Sequence, residues 1–226
     1  MSRNEVICGG RFLIPIVGAN VNEPQPDFIS RNPQLLDRDR SQLLVVDVQE
    51  KLLPAISRAD RVVSSIEFLL DVAAELQVPV VVSEQYPKGL GATVQQIASH
   101  CVSRRTFEKL RFSAAEGFQK LAGDSGDSLP ERNQVVVVGI EAHICVLQTS
   151  LDLLGQGFQV VVIGDAVSSR NADEIEIALR RIRDAGGIVA SAESVAFEWC
   201  ETAGTDEFRQ ISRLVRARDS SRRSDA

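Results

Sequence analysis

Short runs of β-branched and apolar residues recur along this chain, and their spacing restricts its fold more than any other feature. They are "LLVVD" at 43 to 47, "VPVVVSE" at 78 to 84, "QVVVVG" at 134 to 139, "FQVVVIGD" at 158 to 165 and "GIVAS" at 187 to 191. Each is short for a helix and apolar at successive positions, which is the pattern of a strand covered on both faces. Helical patterns lie between them. The clearest spans 60 to 77, where Val62, Val63, Ile66, Leu69, Leu70, Ala73 and Leu76 return at helical spacing. Further helices are expected at 142 to 155 and 171 to 185, each ending near a glycine (Gly155, Gly186, Gly187), and two more at 194 to 203 and 205 to 217. Doubly buried strands alternating with helices predict an α/β protein of three layers, a mostly parallel sheet with helices on both sides. A weaker run at 101 to 107 makes a sixth strand.

At 226 residues and 44% hydrophobic, the chain can bury a sizeable core, and its length fits one domain with extensions. The expected division is an irregular N-terminal arm at 1–33, a domain at 34–218 and a polar tail at 219–226. The arm is read from prolines and a lack of periodicity. Its "RFLIPIVGANV" contains Pro15 and follows Glu5 with no basic region before it, so secretion is not expected. A formal net charge of -6 argues against a nucleic-acid partner. No apolar stretch approaches the roughly 20 residues of a membrane-spanning helix. Cysteines at 8, 101, 145 and 200 form no CxxC pair, which fits a reducing cytoplasm. His100 and His143 are the only histidines, a poor basis for a multi-histidine metal site, and neither a metal nor a cofactor is expected.

In open parallel sheets, ligands bind beyond the carboxyl ends of the strands. The residues expected there are Asp47 after the first run, Ser83, Glu84 and Gln85 after the second, Glu108 and Lys109 after the third, Gly139 leading to Cys145, and Asp165. Neither GxGxxG, GxxxxGK[ST] nor GxSxG occurs at these junctions. Cys145 falls near the start of a helix, where unpaired N–H groups favour a thiolate and could bind an oxyanion. An acid such as Asp47 could take the thiol proton and an ammonium such as Lys109 could hold both anions. The alternative is a cysteine that only fills space.

"LLVVDVQEKLL", "FEKLRFSA" and "VVVVGIEAHICVLQTSLDLLGQGFQVVVIGDAVSS" resemble, in that order, the segments of the isochorismatase-like cysteine hydrolase superfamily that carry its acid, lysine and nucleophile. The likeness covers roughly residues 34 to 200 and is strongest to the isochorismatase domain-containing proteins. It implies a six-stranded parallel sheet of order 3-2-1-4-5-6, catalytic roles for Asp47, Lys109 and Cys145, and a cis peptide between Ile140 and Glu141. The amides of Glu141 and Cys145 would then form the oxyanion hole. It further implies a small-molecule substrate, a thioester intermediate in carbon–nitrogen cleavage, a thiol pKa lowered by Lys109, and a homo-oligomer of two or more copies. Nicotinamidases of this superfamily are similar to one another in a metal-binding Asp and a pair of His after the first acid, whereas "VQEKLLPAISRADRVV" holds no histidine.

Secondary candidates for contact with substrate are Gln85, and Phe107 and Phe112 as apolar walls. His143 precedes Cys145 by two residues on the expected helix, where side chains diverge, so it is read as a surface residue. Asp165 is read as stabilising the turn after its strand, and Trp199 with the last helices as an oligomer contact. Two other classes stay open: a binding protein that keeps the fold without turnover, and a redox-responsive thiol.

Overall fold

A computed structural model describes residues 31–101, 105–123 and 132–224. The chain divides into Met1–Asn32 and Pro33–Ala226, and the second unit is described here. The expected arm lies almost wholly outside the described residues. The elements are β1 (Ser41–Val46), α1 (Ala59–Glu75), β2 (Val80–Gln85), α2 (Pro87–Leu90), α3 (Gln95–His100), β3 (Arg105–Lys109) and α4 (Ala115–Gly123). They continue as β4 (Gln134–Ile140), α5 (Leu147–Gly155), β5 (Gln159–Ser168), α6 (Asp173–Asp184), β6 (Ile188–Ala190), α7 (Ala192–Cys200) and α8 (Asp206–Ser224). All strand pairs are parallel and the order is β3-β2-β1-β4-β5-β6, the architecture the sequence predicts.

Strand alternation sorts the apolar runs into two cores. Leu43, Val45, Val82, Val136, Val138, Val161 and Ile163 face α1 and α7. Leu44, Val46, Val81, Val135, Val137, Val160 and Val162 face the other way, with residues of α4, α5 and α6. Such double coverage is why these runs carry no polar positions, and each fully buried Val or Leu contributes about 1.5–3 kcal/mol.

Four details depart from the sequence reading. β3 runs on to Lys109, past the expected end at 107, and shows no apolar run because it is an edge strand with exposed positions, while residues 102–104 of the expected run lie outside the described residues. The helix expected from 142 opens as a π-helical turn, Ala142–Val146, before α5 begins. Trp199 is 1% exposed inside the first core, so it is no oligomer contact. The last helix runs on to Ser224 through most of the segment read as a tail. Its anchor is Arg218, whose Nη2 donates to Asp165 Oδ2 at 2.6 Å and Ser65 Oγ at 2.8 Å, with its guanidinium 4.7 Å from the Phe68 ring centroid. Asp165 is thus a tie between α1, α7 and α8, since its Oδ1 also accepts the Ala192 N–H at 2.8 Å. It can reach them because β5 slips in register between Val162 and Val167 against Val137 and Gly139. No helix among the described residues is long and apolar enough to cross a membrane.

The centre of the sheet rests on one glycine. Gly139 sits opposite Val46 with φ +115, and a Cβ there would lie 2.1 Å from the Val46 carbonyl oxygen. Only glycine permits that approach, which brings the ends of β1 and β4, and so Asp47 and the Cys145 turn, side by side. Gly139→Ala is expected to lower the unfolding free energy by more than about 1 kcal/mol through backbone strain and collision. Denaturant titration of the two proteins checks this.

Candidate active site

Asp47 follows β1 with φ 53, a left-handed conformation that Asp tolerates better than most residues. Its N–H donates to the Ser83 carbonyl at 3.1 Å, which continues the β1–β2 pairing one residue beyond the strand. The side chain is 0% exposed. Oδ1 accepts from Ser83 Oγ at 2.7 Å and Oδ2 from Lys109 Nζ at 2.7 Å. The Cys145 thiol lies beside this carboxylate, close enough for each group to shift the other's titration.

Lys109 ends the edge strand, yet its side chain is only 6% exposed. Besides Asp47, its ammonium donates to Gln85 Oε1 at 2.8 Å, the Phe112 carbonyl at 2.8 Å and, more weakly, the Arg111 carbonyl at 3.3 Å. Gln85 is held in turn: its Nε2 donates to the Leu110 carbonyl at 2.9 Å and its N–H to Gln49 Oε1 at 2.8 Å. Gln49 Nε2 closes the loop onto the carbonyls of Gln85 and Gly91 at 3.0 and 2.6 Å. A buried ammonium with all its protons accepted is fixed in position.

Cys145 lies in the π-helical turn after β4. The peptide before Glu141, Ile140–Glu141, is cis. The Glu141 carbonyl accepts the N–H groups of Ile144 and Val146 at 3.1 and 3.2 Å, which closes the turn. Burial first, then the Asp47 charge, pushes the Cys145 thiol up to about 12, against the opposing pull of the Lys109 ammonium. The lowered pKa expected from the sequence is therefore reversed. A helix-start argument counts the favourable dipole, but the thiol is 6% exposed and desolvation of a thiolate outweighs it. Burial likewise raises the Asp47 carboxyl, with Lys109, the hydrogen bond from Ser83 and the neighbouring Cys145 thiol holding it down.

The structure thus brings Asp47, Lys109, Cys145 and Gln85 together. The Gln85 amide is engaged at both ends by the protein, so it positions Lys109 rather than facing outward. Phe107 packs beneath α4, where its ring fills the space over Gly117. The Phe112 ring is 53% exposed, and it is the Phe112 carbonyl that touches the cluster. His143 is half-buried, its Nδ1 2.9 Å from Ser169 Oγ. Two participants escaped the sequence reading, Gln49 behind Gln85 and Arg170, which grips Glu141 at 3.1 Å, while Ser83 was expected at this edge but not as a donor to Asp47. Ser83 and Gln49 stood in the quoted motifs, and only strand register assigns them partners.

Comparison with known proteins gives a consistent result. The Isochorismatase domain profile matches residues 41–194. A secreted isochorismatase effector, Isc1, of Phytophthora sojae is 37% identical over 179 residues, 78% of this chain and 84% of its own length. Isochorismatase domain-containing protein 2A of Mus musculus is 35% identical over 178 residues, 79% of this chain and 84% of its own. The solved structure of the MAR1 ribonuclease from Caenorhabditis elegans superposes with a TM-score of 0.74 at 32% identity, covering 80% of this chain and 92% of that one.

Two measurements follow from the cluster. Alkylation of Cys145 by iodoacetamide, read by peptide mass spectrometry, is expected to keep rising about tenfold per pH unit through pH 9, where a thiol of ordinary pKa about 8.5 levels off. In Asp47→Asn the plateau moves to lower pH, because a charge that raises the thiol is gone. Lys109→Met leaves a buried carboxylate without its counter-ion and is expected to cost about 3–5 kcal/mol, with much less for the Asp47→Asn/Lys109→Met pair. Denaturant melts of the single and double variants report it.

Proposed function

This chain belongs to the isochorismatase family, and from that premise we propose that it is a metal-independent cysteine hydrolase. Its reaction cleaves a carbon–nitrogen bond of a small amide or carbamoyl compound through a thioester. The observation that carries the reading is the buried Asp47 carboxylate, held by Lys109 at 2.7 Å and electrostatically coupled to the Cys145 thiol beside it. A thiol that rests protonated needs an acceptor at the moment of attack, and Asp47 is the base coupled to it.

In this mechanism Asp47 takes the Cys145 proton as sulfur attacks the carbonyl carbon. The amides of Glu141 and Cys145 receive the developing oxyanion. Asp47 returns the proton to the leaving nitrogen, and ammonia or an amine departs. Water, deprotonated by Asp47, then releases the acid from the thioester. Lys109 stays charged throughout and keeps Asp47 aimed at sulfur. No step calls on a metal, and among the described residues no three His, Cys, Asp or Glu side chains form a metal-holding group.

The likeness to the MAR1 ribonuclease carries a second reading, cleavage of RNA. There Asp47 would act as a base on a ribose hydroxyl and Cys145 would be dispensable. The net charge of -6 weighs against it.

A panel of small primary amides and carbamoyl compounds, assayed for ammonia release, tests the proposal. Cys145→Ala is expected to lower turnover at least about a thousandfold and Asp47→Asn about 10²–10⁴-fold, and an acyl adduct on Cys145 should appear by mass spectrometry in the wild type. RNA cleavage that survives Cys145→Ala, with no amide turned over, would establish the second reading instead.

A further inference from the structure

Glu141 is fixed from two sides. Its carbonyl closes the turn that carries Cys145, through the N–H groups of Ile144 and Val146. Its carboxylate, 7% exposed, accepts from Arg170 N at 3.0 Å and from Arg170 Nε at 3.1 and 3.2 Å. Arg170 follows β5, whose Ser168 stands opposite Ile140 in the sheet, so this one contact ties the ends of β4 and β5 together. The arginine's own segment is anchored: Ser57 N donates to the Ser169 carbonyl at 3.0 Å and Ser168 Oγ to the Ser57 carbonyl at 2.6 Å.

A buried carboxylate left without a counter-charge either relaxes toward water or takes up a proton. Here relaxation would swing the main chain of Glu141. A carboxylate kept in place but unneutralised would repel any negative charge forming beside that residue's amide. We propose that Arg170 is a positioning residue that acts through Glu141. It holds the Glu141 N–H toward the substrate oxygen and cancels the carboxylate charge that would oppose an oxyanion there. This rests on the thiol-hydrolase reading. It assigns the upkeep of part of the oxyanion site to a residue 62% exposed, which follows β5 rather than the strand that leads to Cys145.

Two small thiol reagents separate the effect without a known substrate. With acrylamide, the Cys145 sulfur bonds to the terminal carbon, the C=C π pair moves to the carbonyl oxygen as an enolate, and a proton from Asp47 ends on the adjacent carbon. With methyl methanethiosulfonate, sulfur forms an S–S bond and methanesulfinate leaves, so no carbonyl oxygen gains charge. The ratio of the two rates at Cys145 therefore reads the oxyanion donors. Arg170→Met is expected to lower the acrylamide-to-thiosulfonate ratio about tenfold or more. Arg170→Met/Glu141→Gln, which removes the stranded charge, should recover most of that loss. An unchanged ratio in Arg170→Met overturns the proposal. So does a parallel fall of both rates together with the melting temperature, which would mark Arg170 as structural only. A wild-type Cys145 inert to both reagents sinks the thiol reading itself, and the positioning role with it.

Discussion

A carboxylate cut off from water must be neutralised from within the protein, and Asp47 imposes that requirement on the whole carboxyl edge of the sheet. Its partners come from three further segments: Ser83 from β2, Lys109 from β3 and Cys145 from the turn after β4. Strand order makes this possible, since β1 lies between β2 and β4. Lys109 then needs acceptors of its own, which explains why Gln85, Phe112 and, behind Gln85, Gln49 are drawn into the same network. The candidate chemistry is thus the inner end of a chain of polar contacts that also holds the loops after β1, β2 and β3.

Much of this was legible in the primary structure, for physical reasons. Strands covered on both faces leave uninterrupted apolar runs, so β1, β2, β4 and β5 announce themselves, and the topology rule for parallel sheets places their carboxyl ends at one edge. Asp47 and Cys145 stand just beyond such runs. Lys109 was harder, because β3 is an edge strand whose exposed positions weaken the pattern; its place after that weak run suggested it, and the motif resemblance added its role. Gln85 was found by position, but its partner was beyond reach: a side chain's contacts depend on register with a distant strand.

The thiol is where local reasoning failed in sign. From sequence, Cys145 stands at a helix start with a lysine expected nearby, and both features favour a thiolate. What the sequence does not display is depth. The turn that holds Cys145 is covered by the second core, and removal of water from sulfur outweighs the nearby ammonium. The result is a thiol that its surroundings hold in the protonated form. Such a site is less open to adventitious oxidation than an exposed thiolate would be.

The Arg218 anchor has a consequence for how the chain acquires this fold. Its partners, Ser65, Phe68 and Asp165, lie in α1 and in the slipped part of β5, both made long before α8. Domains are synthesised from the N-terminus at roughly 5–20 residues per second. For seconds, then, the α1 face of the nascent sheet stands without its outer helix, and Asp165 stands without the guanidinium that α8 brings to it. Completion of this layer waits for α8, which brings Ile211 and Arg218 together, so an interrupted or truncated chain lacking this helix would expose both a charge and an apolar face to the cell's quality control.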